Sequence, residues 1–249
     1  MAFNTNAMET VIEIRHLEKA FNNLPVLTDI NLELVRGENL AILGKSGTGK
    51  SVLTKCIVRL IEADKGEILV LGNDILRMDD EQLNDTRKKV GYLFQGGALY
   101  DSMTVRENLE FQIRRTQLEK NKKELRELVE ESLENVGLLE AINKMPAELS
   151  GGMKKRIGLA RTLILKPRII LYDEPTTGLD PVTSGEISEL ILQVQEKYNT
   201  SSIIITHDMK CAKMTANQLK IMKDGKFYAE GTFSALSESD DQEVKAYFS

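Results

Sequence analysis

The run Gly44-Lys45-Ser46-Gly47-Thr48-Gly49-Lys50-Ser51 constrains this chain more than any other segment of its 249 residues. A glycine, four intervening residues, then Gly-Lys-Ser form a loop whose backbone N–H groups are free to close around phosphate oxygens. Such a loop needs a strand before it and a helix after it, because the helix N-terminus adds favourable partial charge. Both are present: Leu40-Ala41-Ile42-Leu43 precedes the run and an apolar helical stretch follows. In this setting Lys50 reaches the terminal phosphates of a nucleotide such as ATP, and Ser51 ligates Mg²⁺.

The rest of the chain supplies a matching scaffold. Val90-Gly91-Tyr92-Leu93-Phe94, Ile169-Ile170-Leu171-Tyr172 and Ile203-Ile204-Ile205-Thr206 read as further buried strands. Continuous apolar strands separated by helices predict a parallel sheet covered on both faces. Val11–Val35 instead alternates apolar and polar residues in two runs broken near Asn22-Asn23-Leu24-Pro25, which predicts an antiparallel β layer. Asp224-Gly225, between short alternating runs in Leu219–Gly231, signals a hairpin. Thr104–Val136 is dense in charge, with Leu125, Leu128, Val129, Leu133 and Val136 at helical spacing and a capping box offered by Thr104 and Glu107. The expected architecture is one α/β domain: a core over 11–94 and 161–231 that includes the β layer, a helical subdomain over 95–160, and a tail over 232–249. That tail contacts either a partner or its own domain.

Several residues lie where chemistry would be expected. Asp173 and Glu174 put two carboxylates at the end of a buried strand, which is where open α/β sheets place their ligand sites. Alone they would read as solvated acids at a strand end; beside a phosphate loop, Asp173 fits support of Mg²⁺ and Glu174 the base that polarises an attacking water. His207 follows a strand directly and is placed to donate to a γ-phosphate. Gln95, also at a strand end, is placed to reach the metal or the water through its amide oxygen. Leu149-Ser150-Gly151-Gly152-Met153 starts a helix capped by Ser150 whose glycines leave N–H groups open to an anion. His16, in the β layer, reads as structural.

Composition excludes other classes. With 41% hydrophobic and 29% charged residues the chain is too apolar for disorder. No run of about 18 apolar residues encodes a membrane span. Met1–Thr10 lacks the basic and apolar regions of a secretory signal, so a cytosolic location is expected. A net charge of −5 offers no general face for nucleic acid, and Arg87-Lys88-Lys89 and Lys154-Lys155-Arg156 read as solvated faces. Cys56 and Cys211 match neither a zinc nor a redox spacing and read as reduced thiols.

In order and spacing these segments resemble the ABC (ATP-binding cassette) ATPase family from Val11 to about Phe248. Gly44–Ser51 matches Walker A, Gln95 the Q-loop, Ser150-Gly151-Gly152 the signature, Ile169–Asp173 Walker B, Glu174 the catalytic glutamate, Gly178-Leu179-Asp180 the D-loop and His207 the switch histidine. Phe21 stands where the family has an aromatic that stacks on adenine; a core role for it is the alternative. The resemblance implies a P-loop NTPase core with an antiparallel β layer and an inserted helical subdomain. It also implies ATP and Mg²⁺ as ligands, and a head-to-tail homodimer in which Walker A of one chain is covered by the signature of the other. Membrane permease subunits would dock near the Q-loop, holding the chain peripherally at the cytoplasmic face of the inner membrane.

Two departures narrow the resemblance. Met153 replaces the usual glutamine after the signature glycines, and Gln95 is followed by Gly96-Gly97-Ala98-Leu99-Tyr100-Asp101-Ser102-Met103-Thr104-Val105. Both are similar to the ATPases of Mla and Mce lipid-transport systems, which implies phospholipid transport between envelope membranes; such systems can include a small STAS-domain regulator. The alternative is a cassette for polar solutes such as amino acids, with the same catalytic residues. A soluble ABC protein of translation or repair would show two cassettes or a long coiled-coil insertion, and a small-molecule kinase would lack the signature and switch histidine. A regulatory module would have lost Glu174 or His207.

Overall fold

The computed structural model describes residues 9–116 and 121–248; the leader reading for Met1–Thr10 therefore lies, apart from its last two residues, outside the described residues, as does Ser249. The chain opens with the long strands β1 (Thr10–Phe21) and β2 (Leu24–Val35), followed by β3 (Asn39–Leu43), α1 (Lys50–Ile57), β4 (Lys65–Val70) and β5 (Asn73–Asp74). Then come α2 (Asp80–Arg87), β6 (Val90–Leu93), α3 (Val105–Arg115), α4 (Lys122–Glu134), α5 (Gly151–Leu163) and β7 (Ile169–Asp173). The last part holds α6 (Pro181–Tyr198), β8 (Ser201–Ile205), α7 (Met209–Thr215), β9 (Gln218–Lys223), β10 (Lys226–Gly231), α8 (Phe233–Ser237) and α9 (Gln242–Phe248).

Two sheets carry the fold. The larger runs β10-β9-β3-β8-β7-β6 and is parallel from β9 to β6. All five residues of β3, β7 and β8 are buried, which is why these segments read as unbroken apolar runs. The smaller sheet runs β2-β1-β4-β5 and is antiparallel. Its first two strands were legible from their alternation. β4 was not, because its buried residues, Ile68 and Val70, are too few to make a pattern. The hairpin at Asp224-Gly225 turns with φ of 48° and 73°, the paired positive values of a type I′ turn. It leads β9 and β10 onto the edge of the parallel sheet.

Alternate residues of the central strands separate the cores. Ile169, Leu171 and Ile203 face Ile12, Ile14 and Leu34 of the β layer together with Leu53 of α1. Ile170, Tyr172 and Ile204 face the apolar sides of α3 to α6, among them Leu109, Val129, Ile157 and Ile191. A third cluster joins Ala41, Leu43, Leu219 and Ile221 to Leu236 of α8 and Val244 of α9, so the described part of the tail packs on its own domain.

The helices begin where capping chemistry dictates. At α3, Glu107 N–H donates to Thr104 Oγ1 at 3.3 Å while Thr104 N–H donates to Glu107 Oε2 at 2.7 Å. Asp79 with Gln82 and Asn121 with Glu124 start α2 and α4 in the same way. Both basic runs depart in part from the sequence reading: Arg87 is half-buried, its guanidinium donating to the carbonyl oxygens of Val58 and Arg59 at 2.9 Å each. Lys155 is only 5% exposed, so Lys154-Lys155-Arg156 is not a solvated face at its middle position, which lies on the helix side buried with Gly152 and Leu159.

Candidate functional site

The loop between β3 and α1 wraps a cavity of about 540 Å³. Gly44 to Gly47 and Gly49 to Ser51 line it, and across from them stand Gln95 after β6, Glu174 after β7 and His207 after β8. Three consecutive parallel strands thus deliver their following residues to one place, at their carboxyl ends. Gly49 adopts φ 103°, and a Cβ there would lie 2.8 Å from the Val26 carbonyl oxygen, so both conformation and space require glycine.

Lys50 is buried and its ammonium donates to the carbonyl oxygens of Gly44 at 2.6 Å and Lys45 at 2.9 Å, which folds the loop around it. Burial lowers its proton affinity, and the carboxylates of Glu174 and Asp173 oppose that shift. Ser51 Oγ donates to Asp173 Oδ1 at 2.8 Å. The other carboxylate oxygen of Asp173 accepts from Tyr92 Oη at 3.3 Å, and that hydroxyl also meets Thr54 Oγ1 at 2.9 Å. Burial pushes the Tyr92 phenol up, so it remains a donor.

Glu174 holds a left-handed backbone, φ 53°, uncommon for a residue with a side chain. Its N–H donates to Ile205 O at 2.9 Å and its carbonyl accepts from Lys155 Nζ at 2.9 Å. Its Oε2 accepts from Thr177 Oγ1 at 2.9 Å and lies 2.8 Å from His207 Nδ1. An ionised carboxylate has no proton to give, so Nδ1 must carry one. A neutral His207 ring therefore has Nε2 as an acceptor, and donation from Nε2 to a phosphate requires the imidazolium. The ring's side chain is 65% exposed and open to a ligand.

Ser150 caps α5, accepting from Met153 N–H at 3.2 Å, and Gly152 is so close to Thr183 that a Cβ would lie 2.6 Å from its methyl. Ser150, Gly151 and Gly152 are absent from the lining of the phosphate-loop cavity. Asp180 caps α6, accepting from Val182 N–H at 3.0 Å and Thr183 N–H at 3.1 Å. Phe21 is 43% exposed, which removes the core role; Lys19 Nζ stands over one face of its ring, 5.2 Å from the centre, and Phe21 is absent from the lining of the phosphate-loop cavity. His16 pairs with Asp29 on the exterior at 2.7 Å, away from the cavity. Cys56 and Cys211 are buried and unpaired with each other, and burial raises the Cys56 thiol to about 11.

The sequence did not reveal Tyr92, Thr54, Thr177 or Lys155. Tyr92 meets Asp173 only through the pairing of β6 with β7, and Thr54 of α1 meets the Tyr92 hydroxyl in turn. For Lys155 a signal existed: it shares a helix face with Gly152 and Leu159, a face that had to be buried.

Among the described residues no helix is long and apolar enough to cross a membrane. The sequence model of the ABC transporter family matches residues 27–177. The intermembrane phospholipid transport system ATP-binding protein MlaF of Haemophilus influenzae is 39% identical over 237 residues, covering 95% of this chain and 89% of that protein. The probable ribonucleotide transport ATP-binding protein mkl of Mycobacterium leprae is 37% identical over 240 residues, covering 96% and 69%. Among solved structures, the dimeric ATP-binding cassette MJ0796 in a post-hydrolysis state bound to ADP and Pi superposes with a TM-score of 0.80 at 30% identity, covering 89% of this chain and 98% of that one.

Proposed function

This chain belongs to the ABC transporter family as an ATP-binding, ATP-hydrolysing subunit, and from that premise we propose that it energises transport of a lipid, most simply a phospholipid, through a partner permease. The observation that carries the lipid reading is the likeness to MlaF across nearly the whole of both chains, together with Met153 and the segment 96–105 after Gln95. The name of mkl supports a second reading, a cassette serving a polar solute. Purifying the tagged chain from its native membrane in mild detergent, and identifying both proteins and lipids, tests the two. An Mla-type permease with an Mce-domain protein and phospholipid supports the first, and the same sample reveals any STAS-domain regulator; a solute permease overturns it in favour of the second.

In this proposal the loop Gly44–Ser51 presents N–H groups to the phosphates, and Lys50 exchanges its carbonyl partners for phosphate oxygens. Phe21 would stack on adenine with the ring face that Lys19 does not cover, at the margin of the cavity. Glu174 accepts a proton from the water that attacks the γ-phosphorus; the bond to the β–γ bridging oxygen breaks, leaving ADP and inorganic phosphate. Gln95 orients that water from the same wall as Glu174, across from the phosphate loop, and His207, held by Glu174, donates toward the γ-phosphate as an imidazolium. The donor set suits Mg²⁺: Ser51 Oγ and Asp173 Oδ1 are hard oxygens already 2.8 Å apart, with the amide of Gln95 facing the same cavity. Bound there, Mg²⁺ would neutralise charge developing on the phosphate oxygens.

Ser150, Gly151 and Gly152 cannot serve the phosphate loop of their own chain while they lie outside its cavity, which supports a head-to-tail homodimer in which they cover the partner's ATP. The segment 95–160 would act as a helical subdomain. Beside the contact of its α5 with the loop after Gln95 lies a groove of about 360 Å³, walled by Tyr92, Phe94, Ala98, Arg161 and Leu165, where the permease would dock at the cytoplasmic face of the inner membrane.

A further inference from the structure

A lysine with 5% exposure needs an explanation, because an ammonium taken out of water is costly unless it is well paired. Lys155 projects from α5 toward the carboxyl end of β7, and the hydrogen bond it makes there is to a backbone oxygen, that of Glu174, at 2.9 Å. Glu174 is the one residue of the cavity wall opposite the phosphate loop with a left-handed backbone, φ 53°. A side-chain-bearing residue stays in that conformation only where its surroundings over-determine it. Its N–H is held by Ile205 O at 2.9 Å, and its carbonyl accepts from Lys155 Nζ at 2.9 Å and from Thr177 N–H at 3.3 Å, so the lysine is one of three holds on this backbone, the shorter of the two on the carbonyl and the one that comes from another element.

We propose that Lys155 is a positioning residue for ATP hydrolysis: its ammonium, by holding the Glu174 carbonyl, keeps the Glu174 carboxylate aimed into the cavity and ties that aim to α5. The inference rests on the reading of Glu174 as the base.

The tie to α5 is stiff. Gly158 and Gly97 approach so closely that a Cβ on Gly158 would lie 2.8 Å from Gly97 O, and one on Gly97 would lie 2.8 Å from Lys154 O. The helix that holds Glu174 through Lys155 is therefore packed backbone to backbone on the loop that follows Gln95. Its N-terminus carries Ser150, Gly151 and Gly152. Charge also fits: burial lowers the proton affinity of Lys155, whereas the nearby Glu174 and Asp173 carboxylates favour its ammonium form. Lys50 stands in the same relation to the same two acids, so the pair at the end of β7 is flanked by one lysine from the phosphate loop and one from α5.

The test uses the full chain in its assembled complex, with steady-state hydrolysis, ATP binding measured separately, and thermal melting. Lys155→Met keeps the stem and removes the donor; Lys155→Gln keeps a donor without the charge. Lys155→Met is expected to lower kcat by about 10-fold to 100-fold, the effect of a small misplacement of a catalytic group, while ATP affinity stays within about twofold because the phosphate loop is untouched. Lys155→Gln is expected to recover part of the rate, and carries the comparison if the Met variant does not fold. In a Glu174→Gln background, Lys155→Met is expected to add no further loss, since groups acting as a unit are not additive. An unchanged kcat in Lys155→Met, a parallel fall of ATP affinity and melting temperature, or a full further loss in the double variant would overturn the proposal. Near-normal turnover in Glu174→Gln alone would instead remove the base on which it rests.

Discussion

Asp173 and Glu174 are neighbours in sequence with different surroundings. Asp173 is 6% exposed and each of its oxygens accepts one hydrogen bond, from Ser51 and from Tyr92, which suits a group that holds position. Glu174 faces the cavity and shares Oε2 between Thr177 and His207, leaving Oε1 without a hydrogen bond among the described residues. A base needs such a free oxygen. Glu174→Gln keeps the shape and an acceptor for Thr177 but cannot take up a proton, so hydrolysis in the assembled complex is expected to fall about 10²-fold or more with ATP binding retained. Turnover near the unmodified rate would remove Glu174 from that role. Gln95, Glu174 and His207 were legible as residues directly after apolar strands. Tyr92 was not, because nothing local says that its hydroxyl ends beside Asp173.

Among the elements, α5 carries the most constraints. Its first turn is capped by Ser150, its middle presses Gly158 on Gly97, and its basic residues turn inward at Lys155 and toward Glu186 at Arg156, 2.5 Å away. Glycine inside a helix costs roughly 1 kcal/mol relative to alanine, so Gly158 is retained against propensity, and the reason is the 2.8 Å approach of Gly97 O. Gly158→Val would drive a branched side chain into backbone that cannot rotate away. The expected loss is about 1–3 kcal/mol, the usual range for overpacking, read as a lower melting temperature of the isolated chain. No change in melting would mean that the two backbones are not in close contact. The helix start of this segment was readable from its Ser150 cap, but the need for glycine at 158 was not, since its partner lies 61 positions earlier.

At the level of the molecule, one fact shapes the mechanism: the phosphate loop and Ser150-Gly151-Gly152 do not share a cavity. A two-chain site makes a prediction no single-chain site makes. Chains carrying Lys50→Ala should bind ATP weakly, and chains carrying Ser150→Ala should bind it but hydrolyse slowly. Mixed in equal amounts, the two should regain hydrolysis, because each mixed dimer joins the sound phosphate loop of one chain to the sound signature of the other. Absence of any recovery, with mixed dimers demonstrated by differential tagging, would count against the shared site.

Fold class and most of the cavity wall were contained in the sequence because they rest on short-range chemistry: a phosphate loop between strand and helix, acids and amides at strand ends, caps at helix starts. The tertiary structure alone decided that β4 and β5 complete the β layer, that the hairpin at Asp224-Gly225 extends the parallel sheet, that Phe21 is exposed, and that Lys155 turns inward to Glu174. Each of these depends on which distant segment comes alongside and in what register. A one-residue slip in a strand, or a turn of a helix face, would reverse the answer without altering any local pattern.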